Sequence, residues 1–313
     1  MRPLLFLFAA AWSLCGADLR VGIIGTDTSH VPAFTQMLND DSAAADHIPG
    51  ARVVAAFKGG SKDVQSSASR VDGFASQISG RWGVEIVPDI PALLSKVDAV
   101  LLSSIDGRVH LEQARQVIAA HKPLFIDKPL AATFEDAMEI ARLAKAGGVP
   151  WFSASSLRFG EIATAGKFTD TTGVDAFGPG DLEPHHYLDL SWYAIHTVEI
   201  LYTLMGPGCE SVTRTSSPDA DVVVGRWKDG RIGAVRAIRP HSDYGAVVYR
   251  GNKIVEIKPQ GAGSYRPLVQ EIVKFFQTGT PPVANAESLE MFAFMDAAQK
   301  SKEQGGRPVA LAR

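Results

Sequence analysis

The chain has 313 residues, of which 46% are hydrophobic, and it carries a formal charge of −3 at pH 7. A chain of this length can form two domains, each with a core of its own. The near-neutral charge and the lack of a basic run predict that nucleic acid is not a partner. With only Cys15 and Cys209 in the chain, a framework of disulfides is excluded.

The first seventeen residues are typical of a secretory signal peptide. Arg2 supplies a positive charge, residues 4–14 form a compact apolar run, and three small residues follow at positions 15–17. The run is too short to span a bilayer as a helix, so we expect no stable membrane insertion. We therefore predict a signal peptide over residues 1–17, cleavage before Asp18, and export to the periplasm or the medium. A buried N-terminal strand or helix is the alternative interpretation.

Strands and helices alternate through the first half of the remaining chain. Apolar runs that predict strands cover residues 19–24, 52–57, 84–87, 99–103, 124–126 and 151–155. Helical stretches between them cover residues 32–38, 64–80, 91–94, 109–120 and 134–145. Strands that are apolar throughout are typical of a parallel sheet buried on both faces. The alternation predicts a doubly wound, Rossmann-like parallel sheet over residues 18–155.

The second half, residues 156–313, differs in kind. Residues 160–184 are rich in Gly, Thr, Asp and Pro and show no period, and a strong helix follows over 193–205. Strands are then predicted over residues 212–215, 222–227, 232–238, 244–249 and 253–258, and closing helices over 268–277 and 286–303. Turn signals between the strands predict an open-faced, largely antiparallel sheet. Because one face of such a sheet is often covered by a partner, we expect a homo-oligomer.

A glycine turn, Gly25-Thr-Asp-Thr-Ser-His30, follows the first strand directly and leads into a helix. Strand, glycine turn and helix in that order open a dinucleotide-binding fold. Against the pattern Gly-x-Gly-x-x-Gly, Gly25 matches the first glycine, but Asp27 and His30 replace the second and third. The second glycine normally lets the backbone approach a pyrophosphate, and a carboxylate at that position is expected to repel it.

The end of the second strand bears on the choice of nucleotide. An NAD-selective site usually has Asp or Glu there to bind the ribose hydroxyls. This chain has Lys58 and Ser61 instead, which suit a 2′-phosphate better. An ordinary glycine turn explains the same residues equally well.

Asp127-Lys128-Pro129 stands at the end of the fifth predicted strand. Pro129 favours an extended conformation at Lys128 and ends the strand there. The carboxyl ends of parallel strands face the crevice in which doubly wound sheets bind their ligands. A single lysine at such a place is usually only solvated, so its meaning depends on its neighbours.

The neighbours resemble a known family, the Gfo/Idh/MocA oxidoreductases (glucose–fructose oxidoreductase, inositol dehydrogenase and relatives). Residues 122–131 are similar to the Glu-Lys-Pro segment of that family, with Asp127 in place of Glu. Residues 194–199, Ala-Ile-His-Thr-Val-Glu, resemble its Gly-x-His-x-x-Asp helix, with His196 matching. His110 and the closing segment from Glu287 also fit, and the resemblance covers essentially the whole chain after residue 17.

The resemblance implies an NAD(P)-binding domain followed by a substrate and oligomerisation domain that receives a sugar, cyclitol or glycoside. It implies that Lys128 lies beside the reacting carbinol and that His196 relays its proton. Nicotinamide cofactor contacts, with NAD or NADP, are expected from Gly25, Thr26, Asp27, Ser29, His30, Lys58, Ser104, His110 and Asp127. No metal is implied, since the spacing of His185, His186, Asp189 and His196 matches no zinc motif.

Substrate contacts are expected from Arg158, Asp189, Trp192 and Tyr193. Trp192 occupies the position, four residues before His196, at which the family often has Asp. Asp189 lies on the same helical face if the helix extends back that far, and can then replace that carboxylate. Trp192 can instead pack against a sugar ring. Arg158 corresponds loosely to an arginine that follows the sixth strand in the family.

The chemistry of alcohol oxidation needs these residue types. Oxidation of a secondary hydroxyl, or reduction of the keto group, requires a base or acid within hydrogen-bond reach of the oxygen. A lysine ammonium stabilises the developing alkoxide, and a histidine can accept the proton near neutral pH. Two alternatives stay open, since an exported chain meets little free NAD(P): a cofactor-less carbohydrate-binding protein, and a glycoside hydrolase or lyase assisted by NAD.

Overall fold

The computed structural model describes residues 17–43, 45–258 and 263–312. The predicted signal peptide lies outside these residues except for Ala17. Within the described part of the chain, no helix is both long enough and apolar enough to cross a membrane.

Six parallel strands form the first sheet in the spatial order β3-β2-β1-β4-β5-β6. Their bounds are β1 Leu19–Ile24, β2 Ala51–Phe57, β3 Glu85–Val87, β4 Ala99–Leu102, β5 Leu124–Ile126 and β6 Trp151–Ser153. The central strands β4 and β5 are buried at every residue, as their apolar sequences require. The predicted doubly wound sheet is confirmed, and its strand order reverses at β1 and β4, where such sheets bind ligands.

Helices cover both faces of this sheet. Their bounds are α1 His30–Asn39, α2 Gln65–Ala68, α3 Val71–Trp82, α4 Ile90–Leu94, α5 His110–Ala119 and α6 Phe134–Gly147. The single helix predicted over residues 64–80 is wrong, because the chain turns between α2 and α3. The Ser67 hydroxyl bonds to the Ser61 amide (2.7 Å) and to Asp27 (2.5 Å), and these tertiary contacts hold α2 as a separate turn.

Seven strands form the second sheet in the order β12-β11-β7-β10-β9-β8-β13. Their bounds are β7 Gly173–Pro179, β8 Cys209–Ser216, β9 Ala220–Trp227, β10 Ile232–Ile238, β11 Gly245–Arg250, β12 Lys253–Ile257 and β13 Val309–Ala310. Only the pairing of β7 with β10 is parallel, so the sheet is largely antiparallel as predicted. The central strand β7 was not predicted, because it lies in the Gly-rich and Pro-rich segment that shows no period.

The helices of the second half are α7 Glu161–Gly166, α8 Ile195–Met205, α9 Arg266–Thr278 and α10 Asn285–Glu303. Helix α8 is buried along its whole length and packs against β7 and β10, while α10 packs against β8. Helix α9 returns to the first sheet, where Phe275 packs against Phe152 of β6 with ring centroids 5.0 Å apart. Residues on both sides of the predicted boundary at residue 155 therefore share one core.

Candidate active site

The candidate site lies where the carboxyl ends of β1, β4, β5 and β6 meet the start of α8. Lys128 follows β5, Ser155 follows β6, and His196 stands in the first turn of α8. Tyr193 precedes that helix and contacts residues from both halves of the chain. The fold thus brings Lys128 and His196, the two predicted catalytic residues, to one crevice.

Lys128 is half-buried and its ammonium faces an aromatic ring. Its Nζ atom lies 5.5 Å from the centroid of the Tyr193 ring, close enough for a cation–π interaction. The Lys128 amide donates to Asp127 Oδ1 at 2.8 Å, which holds the backbone at the end of β5. Burial lowers the pKa of Lys128, Asp127 opposes this, and the charge of Arg70 adds to the lowering. This lysine therefore gives up its proton more readily than a solvated one.

His196 is buried and its ring is fixed from two sides. Its Nδ1 atom lies 2.7 Å from the hydroxyl of Ser155, which leaves Nε2 for another partner. The rings of Tyr193 and Tyr244 pack edge-on against it, at 5.7 and 5.8 Å between centroids. Burial, and then the charge of Lys128, hold the pKa of His196 well below its usual 6.5. At neutral pH the ring is uncharged and able to accept a proton.

Asp127 binds the imidazole of His30. Asp127 Oδ2 lies 2.6 Å from His30 Nδ1, and both side chains are almost fully buried. Burial acts to raise the pKa of Asp127, but His30 and Lys128 outweigh it, so the pKa lies below its ordinary value. The His30 ring stacks on Phe34 and meets Tyr265 edge-on, with centroids 5.2 and 4.7 Å away. His30 is thus tied to the strand end that carries Lys128.

The carboxylate of Asp27 does not face the crevice, so the repulsion of a pyrophosphate expected from it is wrong. Ser67 Oγ donates to Asp27 Oδ2 at 2.5 Å, and the Ile105 amide donates to Oδ1 at 3.0 Å. The side chain is fully buried, and burial raises its pKa. The side chain points into the protein, where those two donors bind it.

The start of α1 fits a dinucleotide phosphate. The first turn of α1 contains no acidic residue, and Ser29, which precedes it, is exposed. Thr28 accepts from the first two amides of the helix, with its hydroxyl 3.5 Å from the His30 amide and its carbonyl 3.2 Å from the Val31 amide. Gly25 has φ +87°, and a Cβ atom at that position would lie 2.4 Å from Ser104, so only glycine permits this close turn. The positive end of the α1 dipole favours an anion beside the exposed Ser29, so the glycine turn and this helix start suit a dinucleotide phosphate.

Three predicted cofactor residues have side chains that bind protein groups instead. The Thr26 hydroxyl donates to the Val71 carbonyl at 2.9 Å, and Ser104 Oγ donates to Gln113 at 2.9 Å. His110 is fully buried, and its ring nitrogens lie 2.7 and 3.2 Å from the backbone carbonyls of Ser104 and Leu130. Buried polar groups must be paired, so these side chains stabilise the loops. Cofactor contacts of these three residues stay a prediction, and in this structure their side chains are bound to protein groups.

Lys58 has a partner as well. Its ammonium pairs with Asp72 of α3, and the hydroxyl of Ser61 is buried and donates to Asp106 at 2.5 Å. The free cation and hydroxyl that the sequence predicts for a 2′-phosphate are therefore both engaged.

Two of the predicted substrate residues are bound to other protein groups in this structure, so their contact with substrate stays a prediction. Arg158 is buried in an ion cluster with Glu199 and Glu287, the latter at 2.7 Å. Asp189 precedes α8 in a short 3₁₀ turn, because the helix begins at Ile195 and does not extend back. Its carboxylate binds Arg214 and Lys302, each at 2.7 Å. Each side chain is thus held in an ion pair with groups of opposite charge, carboxylates for Arg158 and cations for Asp189.

Trp192 and the neighbouring histidines also have protein partners. The half-buried Trp192 ring packs edge-on against His186, with centroids 4.9 Å apart. His186 Nε2 lies 3.0 Å from Asp106, while His185 Nδ1 lies 2.6 Å from Glu183. The histidines that could suggest a metal site thus bind separate carboxylates.

Several residues of the crevice were not predicted. Tyr244 and Tyr265 pack on the two histidines of the site, Ser155 binds His196, and His241 pairs with Asp181 at 2.7 Å. They come from loops far apart in the chain and belong to no local motif. No signal in the sequence alone distinguishes them from ordinary loop residues.

Comparison with known proteins agrees with the resemblance. Residues 19–154 match the Gfo/Idh/MocA family model, described as an oxidoreductase family with an NAD-binding Rossmann fold. An inositol 2-dehydrogenase of Paracoccus denitrificans is 33% identical over 135 residues, which are 42% of this chain and 34% of that enzyme. The match therefore spans about a third of that relative.

Solved structures extend the likeness to nearly the whole chain. Myo-inositol dehydrogenase of Lactobacillus casei, crystallised with NAD(H) and myo-inositol, has a TM-score of 0.74 at 18% identity, covering 95% of this chain and 97% of that one. The apo scyllo-inositol dehydrogenase of the same organism has a TM-score of 0.74 at 15% identity, covering 95% and 99%. At these identities the likeness shows the fold.

Proposed function

Since residues 19–154 of this chain belong to the Gfo/Idh/MocA family of NAD-binding oxidoreductases, we propose that it is an NAD(P)-dependent dehydrogenase. It oxidises a secondary hydroxyl, or reduces the keto group, of a sugar, cyclitol or glycoside. The observation that carries this proposal is the meeting of Lys128, Tyr193 and His196 at the carboxyl end of β5. The inositol dehydrogenases among its relatives support the class of substrate.

The loop from Gly25 to Ser29 and the positive end of the α1 dipole would hold the cofactor phosphates. When bound, the nicotinamide supplies the acceptor or donor of the hydride. Every other part of the reaction is carried by side chains of this protein.

Lys128 binds the carbinol oxygen and stabilises the negative charge that develops on it. His196 accepts the proton at its ring, which is neutral at pH 7 because burial and the neighbouring cation disfavour its charged form. Ser155 holds Nδ1 of that ring and so fixes its orientation. The crevice thus provides one group for the charge and another for the proton.

The first test concerns the cofactor. The purified protein is denatured, any released NAD(H) or NADP(H) is measured, and the folded protein is titrated with each nucleotide. Cofactor release or saturable binding is expected. If neither nucleotide is released or bound, the dehydrogenase proposal fails and the carbohydrate-binding alternative gains.

The second test concerns the chemistry. Lys128→Met should abolish turnover while changing the free energy of unfolding by less than about 1 kcal/mol, because a half-buried crevice lysine adds little to packing. Lys122→Met, at the opposite end of β5, is the matched control and should keep full activity. Normal turnover in Lys128→Met would remove this residue from the mechanism. Cleavage of glycosides without net formation of reduced cofactor would favour the hydrolase or lyase alternative.

Export is part of the proposal. It is supported by Arg2, the apolar run over residues 4–14 and the small residues before Asp18. Expression of the full chain in a bacterial host should yield a protein in the periplasm or medium whose mass corresponds to a start at Asp18. A cytoplasmic protein that retains residue 2 would contradict the proposal.

We also propose that the chain forms a homo-oligomer through the second sheet. Burial alternates along β10, so that Ile232, Ala234, Arg236 and Ile238 share the face that α8 does not cover. Ile232 is 55% exposed on that face. Light scattering should give a multiple of the chain mass, and Ile232→Asp should lower it. A monomer at micromolar concentration would refute this assembly.

A further inference from the structure

The crevice around Tyr193 is surrounded by nitrogen-bearing side chains. Besides Lys128 Nζ at 5.5 Å, the ring of His241 lies 4.8 Å and that of His196 lies 5.7 Å from the Tyr193 centroid. These groups come from the segment after β5, from α8 and from the segment between β10 and β11. A ligand seated at this ring meets several polar nitrogen groups at once.

The nearby carboxylates are already committed to histidines. Asp127 binds His30 at 2.6 Å, and Asp181 binds His241 at 2.7 Å. The ion pairs of the described residues include neither Lys128 nor Arg70. Within the part of the chain that the structure describes, neither of these two cations at the crevice therefore has an ion-pair partner of its own.

Arg70 stands at the start of α3, beside the glycine turn. The carbonyl of the next residue, Val71, accepts a hydrogen bond from the Thr26 hydroxyl at 2.9 Å, which fixes this helix start against the loop after β1. The Arg70 side chain is exposed, so it is free to bind a ligand.

The charge of Arg70 reaches the groups at the centre of the site. Burial is the main cause that lowers the pKa of Lys128, and Arg70 lowers it further. For Tyr193, burial and then Asp181 raise the pKa, and Arg70 opposes them. One guanidinium therefore acts on both side chains that frame the reacting position.

We propose that the substrate of this dehydrogenase carries a carboxylate close to the reacting hydroxyl, and that Arg70 is the residue that recognises it. The substrate class is then a sugar acid or another polyhydroxy acid, with the carbinol oxygen at Lys128. A guanidinium binds a carboxylate in a two-pronged geometry, which also orients the substrate. This inference rests on the proposed dehydrogenase function and names its substrate class.

The test compares matched pairs of compounds that differ only in the acid group. D-Gluconate is paired with D-glucitol, D-glucuronate with D-glucose, and D-galacturonate with D-galactose, each with NAD⁺ and with NADP⁺. The wild type should prefer at least one acid over its neutral partner in kcat/KM. In Arg70→Gln the ratio of acid to neutral compound should fall about 10-fold to 100-fold, the effect of losing a charge-assisted contact.

Arg81→Gln is the matched control, because Arg81 lies in the last turn of the same helix, pairs with Asp40 and packs on Trp82. It should leave the ratio unchanged. A second readout needs no turnover: calorimetry of the protein with each acid and its neutral partner, without added nucleotide. The acids should bind more tightly to the wild type and lose that advantage in Arg70→Gln.

The outcomes separate the two levels of the proposal. If only the neutral compounds are turned over, or if the acid-to-neutral ratio of kcat/KM is the same in Arg70→Gln as in the wild type, the acid-substrate proposal is wrong. The dehydrogenase proposal is unaffected by that result. If Arg70→Gln changes the KM for the cofactor and leaves the acid-to-neutral ratio unaltered, Arg70 binds the nucleotide, and the acid-substrate proposal is again wrong. If no nucleotide binds, the dehydrogenase proposal fails, while the calorimetry still decides whether the crevice prefers acids.

Discussion

Replacement of Asp27 by glycine would restore the second glycine of the dinucleotide fingerprint, yet we expect it to weaken the fold. The Asp27 carboxylate is the acceptor for the Ser67 hydroxyl at 2.5 Å and for the Ile105 amide at 3.0 Å. Ser67 is 0% and Ile105 is 8% exposed, so water cannot replace the lost acceptor fully.

The magnitude follows from these two donors. A buried donor left without a partner costs about 1–3 kcal/mol, so two of them cost about 2–6 kcal/mol. Removal of a carboxylate whose pKa is raised by burial recovers part of the desolvation cost. We therefore expect Asp27→Gly to lower the free energy of unfolding by about 3 kcal/mol. Asp27→Asn keeps an acceptor for the Ile105 amide and should lose only about 1 kcal/mol.

The assay is urea unfolding followed by circular dichroism for the wild type and both variants, with nucleotide titration of each folded protein. A shift of the midpoint without a change of slope would report a loss of stability. Nucleotide affinity should not improve in Asp27→Gly, since the carboxylate points away from the crevice. A variant as stable as the wild type that binds the nucleotide more tightly would refute the inward orientation of Asp27.

Three further predictions concern buried groups. Burial holds the pKa of His196 below 6.5, so the stability that depends on its neutral ring is present above pH 6.5 and declines as the pH falls below that value. Thermal unfolding from pH 7.5 to 5 should show this loss of stability. The loss should be smaller in His196→Gln. Arg158→Met leaves Glu199 and Glu287 without their cation and should lower the free energy of unfolding in urea by about 3–5 kcal/mol. A variant of normal stability with a higher KM would instead support Arg158 as a substrate residue. Burial raises the pKa of Cys209 to about 12, so the thiol should resist maleimide at pH 8 in the folded protein and react once the protein is unfolded in urea. Equal rates of maleimide reaction in the two states would contradict the burial of Cys209.

Local patterns predicted much of the fold. The strand over residues 232–238 matches β10, and the apolar run 124–126 is β5 with Lys128 just beyond it. The Thr133 hydroxyl caps α6 by accepting from the Asp136 amide at 3.0 Å, as its position before the helix predicts. These features depend on residues within one turn or one strand of each other, so the sequence encodes them directly.

The side-chain partners of the site depend on residues that are remote in the chain. His30 and Asp127 are 97 positions apart, and Ser155 and His196 are 41 apart. Packing of α9 on the first sheet brings Tyr265 onto His30, which no periodicity could indicate. Each contact exists because two loops are brought together by the strand order.

The sequence by itself determined that a lysine ends a buried parallel strand and that a histidine opens a buried helix, since apolar runs and turn residues specify burial locally. Only the tertiary structure decided which polar side chains of the crevice remain free. Asp27, Arg158 and Asp189 look available in the sequence, but each turns inward to a partner: a buried hydroxyl donor for Asp27, carboxylates for Arg158 and a buried guanidinium for Asp189. A buried polar group must find its partner within the fold, and the strand order alone sets which partner lies within reach.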